Sequence, residues 1–386
     1  MNRLTIQLIL LLMGSSLLSP AQQTGDKSIK WTIAGELPPG NGCSRSLGVA
    51  GPVAGLYGGI LLVAGGANFP ESMPWEGGKK KYYDEGFVYA GSGQHPLLQK
   101  ETFKLPAPVA YAASCSTPQG VLYAGGENEN GISNKVYLLQ WDIATEKAVV
   151  KSLPDLPEAI TNGAASADGN NVYFAGGETV NGVSDNFYSL DLRHTTAGWT
   201  KLPTLPKPVS HMVLIVQPGG DHPGVYLMGG RKKNADGISE LYTSVYMFDL
   251  LTQSWKEKRS MPYSLCAGTG IGTAQGSIFL FGGDKGTTFH QSETLNAATG
   301  REKDPVKKQA LIEQRIRLQS THPGFSNEIL VYNTATDVWS VAGSIPFETP
   351  VTTVAVAWGN DVIIPSGEIR AGVRTPQLLL GKLPGK

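Results

Sequence analysis

Residues 121–126 read VLYAGG and residues 172–177 read VYFAGG, each a strand-forming apolar run closed by two glycines. Aromatic and β-branched residues at this density mark strands. The same ending occurs at Gly65-Gly66 after LLVA, at Gly229-Gly230 after YLM and at Gly282-Gly283 after IFLF. The five pairs are spaced 60, 51, 53 and 53 residues apart, and an imperfect sixth copy, VIIPSG, puts Ser366-Gly367 in the pair position. Most pairs are followed by a strand with Tyr (Tyr137, Tyr188, Tyr246, Tyr332) and often by a Trp (Trp199, Trp255, Trp339). Trp141 is out of phase with this series. A step such as Leu105-Pro106, Leu156-Pro157, Leu205-Pro206, Met261-Pro262 or Ile345-Pro346 closes each unit.

A period near 50 built from strands a, b, c and d resembles a kelch repeat, and it predicts an all-β fold, a six-bladed propeller. One blade cannot cover both of its faces, whereas a closed ring of blades covers each face and shields the edges. Residues 30–38 read as a strand d with no blade before it, and residues 351–383 as strands a, b and c with none after. Joined, they complete the sixth blade. The propeller is expected over 22–386, interrupted by insertions at about 67–84 and 284–325. In the second, Asp304 as N-cap and Pro305 in the first turn predict a helix reaching Leu318.

The composition agrees. Gly and Pro supply 48 and 25 of 386 residues, about 19% against an average near 12%, which long helices would not tolerate. With 41% apolar residues the chain builds a core, and 32 basic residues balance 32 acidic ones, leaving no excess for a nucleic-acid surface. Arg3, an apolar stretch over 4–18 and Ser19-Pro20-Ala21 form a secretory signal peptide, expected to be removed near Ala21. The mature chain is then expected to be exported, with no membrane segment. Cys43, Cys115 and Cys266 leave at least one free thiol, and none has a partner at zinc-ligand spacing. All three read as structural filler.

Strand parity puts the b–c loops and the d–a connections on one face. Post-glycine positions begin the b–c loops: Ala67, Glu127, Glu178, Arg231, Asp284 and Glu368. Five of six are ionisable in a chain that is only 17% charged. The d–a connections add Arg45, Tyr111, Asn162 and His211, and both insertions leave from the same face. That face is where a small-molecule site is expected. Its sharpest pair is Glu368 and Arg374, flanking a five-residue hairpin loop so that a carboxylate faces a fixed cation. A plain structural salt bridge is the competing reading of that pair. Sialidase Asp-boxes, copper-radical ligands, GxSxG, HExxH and a P-loop are not found.

The segments SGEIRAGVRT (366–375), GGANFPESMPWEGGKKKYYDEGFVY (65–89) and the interrupted blade from GGDKGTTF to NTATDVWS resemble the sialic acid mutarotases, or N-acetylneuraminate epimerases, in a branch with cyclically permuted blades. The resemblance implies exchange of the α and β anomers of free N-acetylneuraminate by acid–base ring opening, with Glu368 and Arg374 as the catalytic residues. Arg45, Asn68, Arg231 and His211 are candidate substrate contacts. No cofactor or metal is required, and the partner is a sugar acid. Ser366 departs from the usual glycine pair. A non-catalytic propeller binding a glycan or protein, and a mutarotase for another sugar, are the alternatives.

Overall fold

The computed structural model describes residues 29–39, 44–91, 98–219 and 222–383, with the side chains of 98–100, 218–219 and 222 left aside. The segment read as a signal peptide and Cys43 lie outside the described residues. Six four-stranded antiparallel sheets succeed one another along the chain. Blade 2 shows the plan. Its strand a (Ala113–Thr117) pairs with b (Gly120–Ala124), b with c (Val136–Asp142) and c with d (Lys147–Leu153). In blade 6, Lys30–Glu36 takes position d beside Val373–Lys382, so the two ends of the chain close the ring within one sheet.

Six apolar clusters hold the blades together, one at each blade–blade interface. Blades 2 and 3 meet through Leu122, Leu138, Val172 and Phe174, and blades 5 and 6 through Phe281, Ile329, Ile364 and Trp31. The repeated Trp acts as a staple between neighbours. The indole N–H groups of Trp199, Trp255 and Trp339 donate to the carbonyls of Pro154, Pro203 and Arg259 in the preceding blades, at 2.9, 3.2 and 2.9 Å. Inner strands carry small residues, and they line a central channel of about 320 Å³.

The glycine pairs have a steric cause. A Cβ on the first glycine would lie 2.2–2.7 Å from a carbonyl of the next blade: Val109, Ile160, Val209, Leu265 or Pro350. Those contacts are too close for any side chain. Ser366 holds the corresponding position in blade 6 with φ 57° and is fully buried. Its hydroxyl accepts from the Val49 N–H at 2.8 Å and reaches the Val49 and Thr375 carbonyls at 2.9 and 2.7 Å. A hydrogen bond thus replaces a collision.

Around the channel mouth runs a closed circuit. The N–H groups of Tyr111, Asn162, His211, Ala267 and Thr352 each donate to the carbonyl of the same position one blade back. Gly51 closes the circuit onto Thr352, and all six bonds span 2.6–3.0 Å. Just outside it, each post-glycine residue bridges a d–a connection: Ala50 with Ala67, Ala110 with Glu127, Thr161 with Glu178, Ser210 with Arg231, Cys266 with Asp284 and Val351 with Glu368. The predicted face is therefore built as two concentric rings.

The second insertion holds two helices where one was expected. Helix α2 (Pro305–Ser320) starts at Asp304, whose carboxylate accepts from the Val306 and Lys307 N–H groups, as its N-cap pattern implied. Helix α1 (Thr287–Arg301) was missed, because TTFHQSETLNAATGR has no apolar stripe and its cap is a left-handed Gly286 rather than a polar side chain. No helix among the described residues is long and apolar enough to cross a membrane.

Trp31 seals the closing strand, packed edge-on against Phe281 with ring centroids 5.6 Å apart. Replacing a buried aromatic by alanine costs about 3–5 kcal/mol. Trp31→Ala is therefore expected to lower the unfolding free energy of the whole propeller by that amount, measured by denaturant titration. Loss of a local signal alone would count against closure by this strand.

Candidate functional site

The six post-glycine positions divide by what surrounds them. Glu127 accepts from the Tyr82 hydroxyl at 2.7 Å and from Lys80 at 3.1 Å. Burial alone would lower the Lys80 pKa, but Tyr111, Glu127 and Tyr82 outweigh it and keep the ammonium charged. Glu178 accepts from Arg231 Nη2 at 3.1 Å and from the Ser210 hydroxyl at 3.0 Å. These charges tie neighbouring blades together. Asp284 and Glu368 differ, since both face a cavity.

Glu368 and Arg374 sit opposite each other on paired strands, Asp361–Arg370 and Val373–Lys382. The hairpin is tighter than the five-residue loop expected from sequence. Arg370 pairs with Val373, leaving only Ala371 and Gly372 at the tip, where Gly372 takes φ 73°. The Gly372 N–H donates to Glu368 Oε1 at 2.9 Å, and Arg374 Nη2 lies 3.6 Å from Oε2. The arginine side chain is only 4% exposed against 20% for Glu368. Phe69 of the first insertion covers its guanidinium at 4.9 Å. Its Nε and Nη1 are buried without a hydrogen-bond partner among the described residues. The cation is thus aimed at one carboxylate and shielded from water.

The cavity beside Glu368 measures about 210 Å³ and is walled by His211, Arg231, Asp284, Phe289, His322 and Glu368, among others. Phe289 comes from α1 and His322 from the segment after α2, so the second insertion roofs it. That roof is fastened by polar contacts. Glu293, buried on α1, accepts from the Ser239 N–H at 2.7 Å and the Ser239 hydroxyl at 2.8 Å. Phe289 stacks on the Arg231 guanidinium at 5.0 Å. Burial raises the Asp284 pKa, although the Gly286 N–H donates to its Oδ1 at 2.7 Å. Burial, reinforced by Arg231, holds His211 well below the usual histidine range, so its ring is neutral.

Of the residues singled out from sequence, Glu368, Arg231 and His211 meet at this cavity, and Arg374 stands behind Glu368 without lining it. Asn68 and Arg45 line a different cavity, of about 160 Å³. The Asn68 amide is engaged there, donating to the Gly48 carbonyl at 2.7 Å and accepting from the Tyr83 hydroxyl at 2.8 Å. Arg45 is exposed, and Gly51 rather than Arg45 holds the ring position in its connection. Asp284 and His322 join the site. Asp284 was visible as a post-glycine position; His322, inside a long insertion, gave no pattern. Burial pushes the thiols of Cys115 and Cys266 up to about 12, which makes them inert at neutral pH. Among the described residues no group of three or more His, Cys, Asp or Glu could hold a metal.

The model of the N-acetylneuraminate epimerase family matches residues 153–386. The chain belongs to that family. Relatives named N-acetylneuraminate epimerase include those of Haemophilus influenzae, 28% identical over 63% of this chain and 62% of theirs, and of Brucella melitensis, 29% identical over 60% and 58%. The one from Salmonella typhimurium is 24% identical over 60% and 58%. The chain thus spans about three-fifths of the length of the curated relatives it matches. The matched region contains the residues that wall the cavity beside Glu368 and the Glu368–Arg374 hairpin.

Two outcomes follow for this N-acetylneuraminate epimerase family member. Glu293→Ala is expected to cost about 1–3 kcal/mol and to speed proteolysis within 287–320 while the blades stay protected. Unchanged cleavage there would mean the roof is held otherwise. His211 is expected to remain neutral in an NMR titration at about pH 6. Its pKa is depressed by folding, so its contribution to stability is complete above about 6.5 and is lost as pH falls from there toward the folded value.

Proposed function

We propose that this chain is a mutarotase acting on free N-acetylneuraminate, with Glu368 as the proton-transfer group. The observation that carries the reading is a carboxylate lining a roofed cavity, faced by a buried arginine, in a chain of the N-acetylneuraminate epimerase family. The names of the relatives support the substrate.

The reaction asks little of a protein. The carboxylate of Glu368 takes the proton of the anomeric hydroxyl as the bond from the anomeric carbon to the ring oxygen breaks. The carbonyl forms, the ring-oxygen electron pair accepts a proton, and the open chain recloses on the other face. The hydroxyl and ring oxygens sit on one carbon, so the two oxygens of one carboxylate can serve both. Nothing is oxidised or reduced, and every proton returns. Groups of this kind contribute about 10²–10⁴-fold.

Arg374, shielded by Phe69 and off the cavity wall, acts through Glu368: it holds the carboxylate in place and orients it. Cyclic permutation of the blades accords with a match confined to 153–386, because a linear alignment can follow only one side of the break. Residues 1–21 have the features of a signal peptide, and under this proposal the mature chain acts in the periplasm.

Proton NMR following a pure anomer to equilibrium tests the reading. Glu368→Gln is expected to slow exchange at least about 100-fold. Arg374→Met is expected to lower kcat with little change in KM, since the carboxylate loses the cation that orients it. An unchanged rate in Glu368→Gln would remove that residue from the mechanism. A panel of other sugar acids and hexoses reads the substrate.

A further inference from the structure

The cavity holds a second group whose proton placement is decided by the backbone. His322 lies in the stretch that returns the chain from α2 to blade 5. It is buried, with its ring packed on Phe325 at a centroid distance of 4.9 Å. It lines the same cavity as Glu368 and Asp284. The Gly324 N–H donates to its Nδ1 at 3.0 Å. A main-chain N–H has no other role to offer, so Nδ1 must be the acceptor and the ring proton sits on Nε2. Protonating the ring would set two N–H groups against each other and break that bond. Burial lowers its pKa as well; Asp284 and Glu368 pull it up, Arg370 pulls it down, and burial prevails. No described residue accepts from Nε2. The cavity wall therefore carries an uncharged N–H donor near the proposed proton carrier.

Resting on the mutarotase reading of this site, we propose that His322 is a second catalytic residue, whose Nε2–H hydrogen-bonds the sugar ring oxygen as that oxygen gains charge. The bond between the anomeric carbon and the ring oxygen breaks, and its electron pair moves onto the ring oxygen. Nε2–H stabilises that charge without giving up its proton. Glu368, having taken the anomeric hydroxyl proton, delivers it to the same oxygen, and reclosure reverses each step. A neutral imidazole suits this task because its N–H meets developing negative charge without adding a net charge beside the substrate's own carboxylate. His322 cannot act as a base in this arrangement. One nitrogen is occupied by Gly324 and the other already bears the proton.

The test compares His322→Leu, His322→Gln and Glu368→Gln in the full chain, by anomer exchange and by thermal unfolding. Loss of one donor aimed at a developing oxyanion costs about 100-fold in kcat. His322→Leu is expected to show such a loss with KM within about threefold. His322→Gln, whose amide keeps an N–H, should recover about tenfold of it. Leu at the wild-type rate, Gln as slow as Leu, or a loss confined to KM overturns the assignment. Should His322→Leu fail to fold, NMR of the imidazole nitrogens in the wild-type chain decides, with an Nε2–H tautomer expected and an Nδ1–H tautomer fatal. Failure of the mutarotase reading looks different: the wild type gives no acceleration and Glu368→Gln changes nothing.

Discussion

Six main-chain N–H groups, each donating to the same position one blade back, close a circuit around the channel mouth, and the rest of the face is set out from it. The circuit requires left-handed backbone at every member. Gly51 meets this freely, while Tyr111, Asn162, His211, Ala267 and Thr352 adopt φ between 48° and 58°. Such a conformation costs a side-chain-bearing residue roughly 1–2 kcal/mol, and it persists because both neighbours in the circuit hold it. Local strain is thus exchanged for fixed spacing. Each post-glycine residue is bridged to the strand entry beside the circuit, so insertions of very different length leave from equivalent points.

That spacing gives quasi-equivalent positions unequal roles. Glu127 and Glu178 find cations and hydroxyls on adjacent elements and become ties between blades. Asp284 and Glu368 lie where the blade 5 loop is extended into two helices, and there both line a roofed cavity. Arg231 belongs to both groups: it is held by Glu178 and Ser239 on one side and stacked under Phe289 on the other. The same positional rule therefore supplies the joints of the ring and the groups of the site.

The carboxylate–arginine hairpin could be read from residues alone because its two members are six apart and joined by a tight turn, a purely local relation. His322 could not. Its place depends on how α1 and α2 dock, which rests on Glu293 reaching Ser239 fifty-four residues away in another blade. Arg45 and Asn68 illustrate the converse. They leave from the right face, but the first insertion folds back on its own connection and engages Asn68 with Gly48 and Tyr83.

By itself the sequence determined the six-fold repeat, the pairing of chain ends within one blade and the opposition of Glu368 to Arg374. These follow from periodic strand patterns and from a steric rule, the glycine demanded where a neighbouring carbonyl leaves no room for a Cβ. Only the tertiary structure decided which charges were consumed in holding blades together, which side chains share a cavity, and that Arg374 is shut away behind Phe69. Contacts such as that of Ser366 with Val49, 317 residues apart, arise when the ring closes. No local pattern records them, because the energy that selects them belongs to the packed blades rather than to any segment.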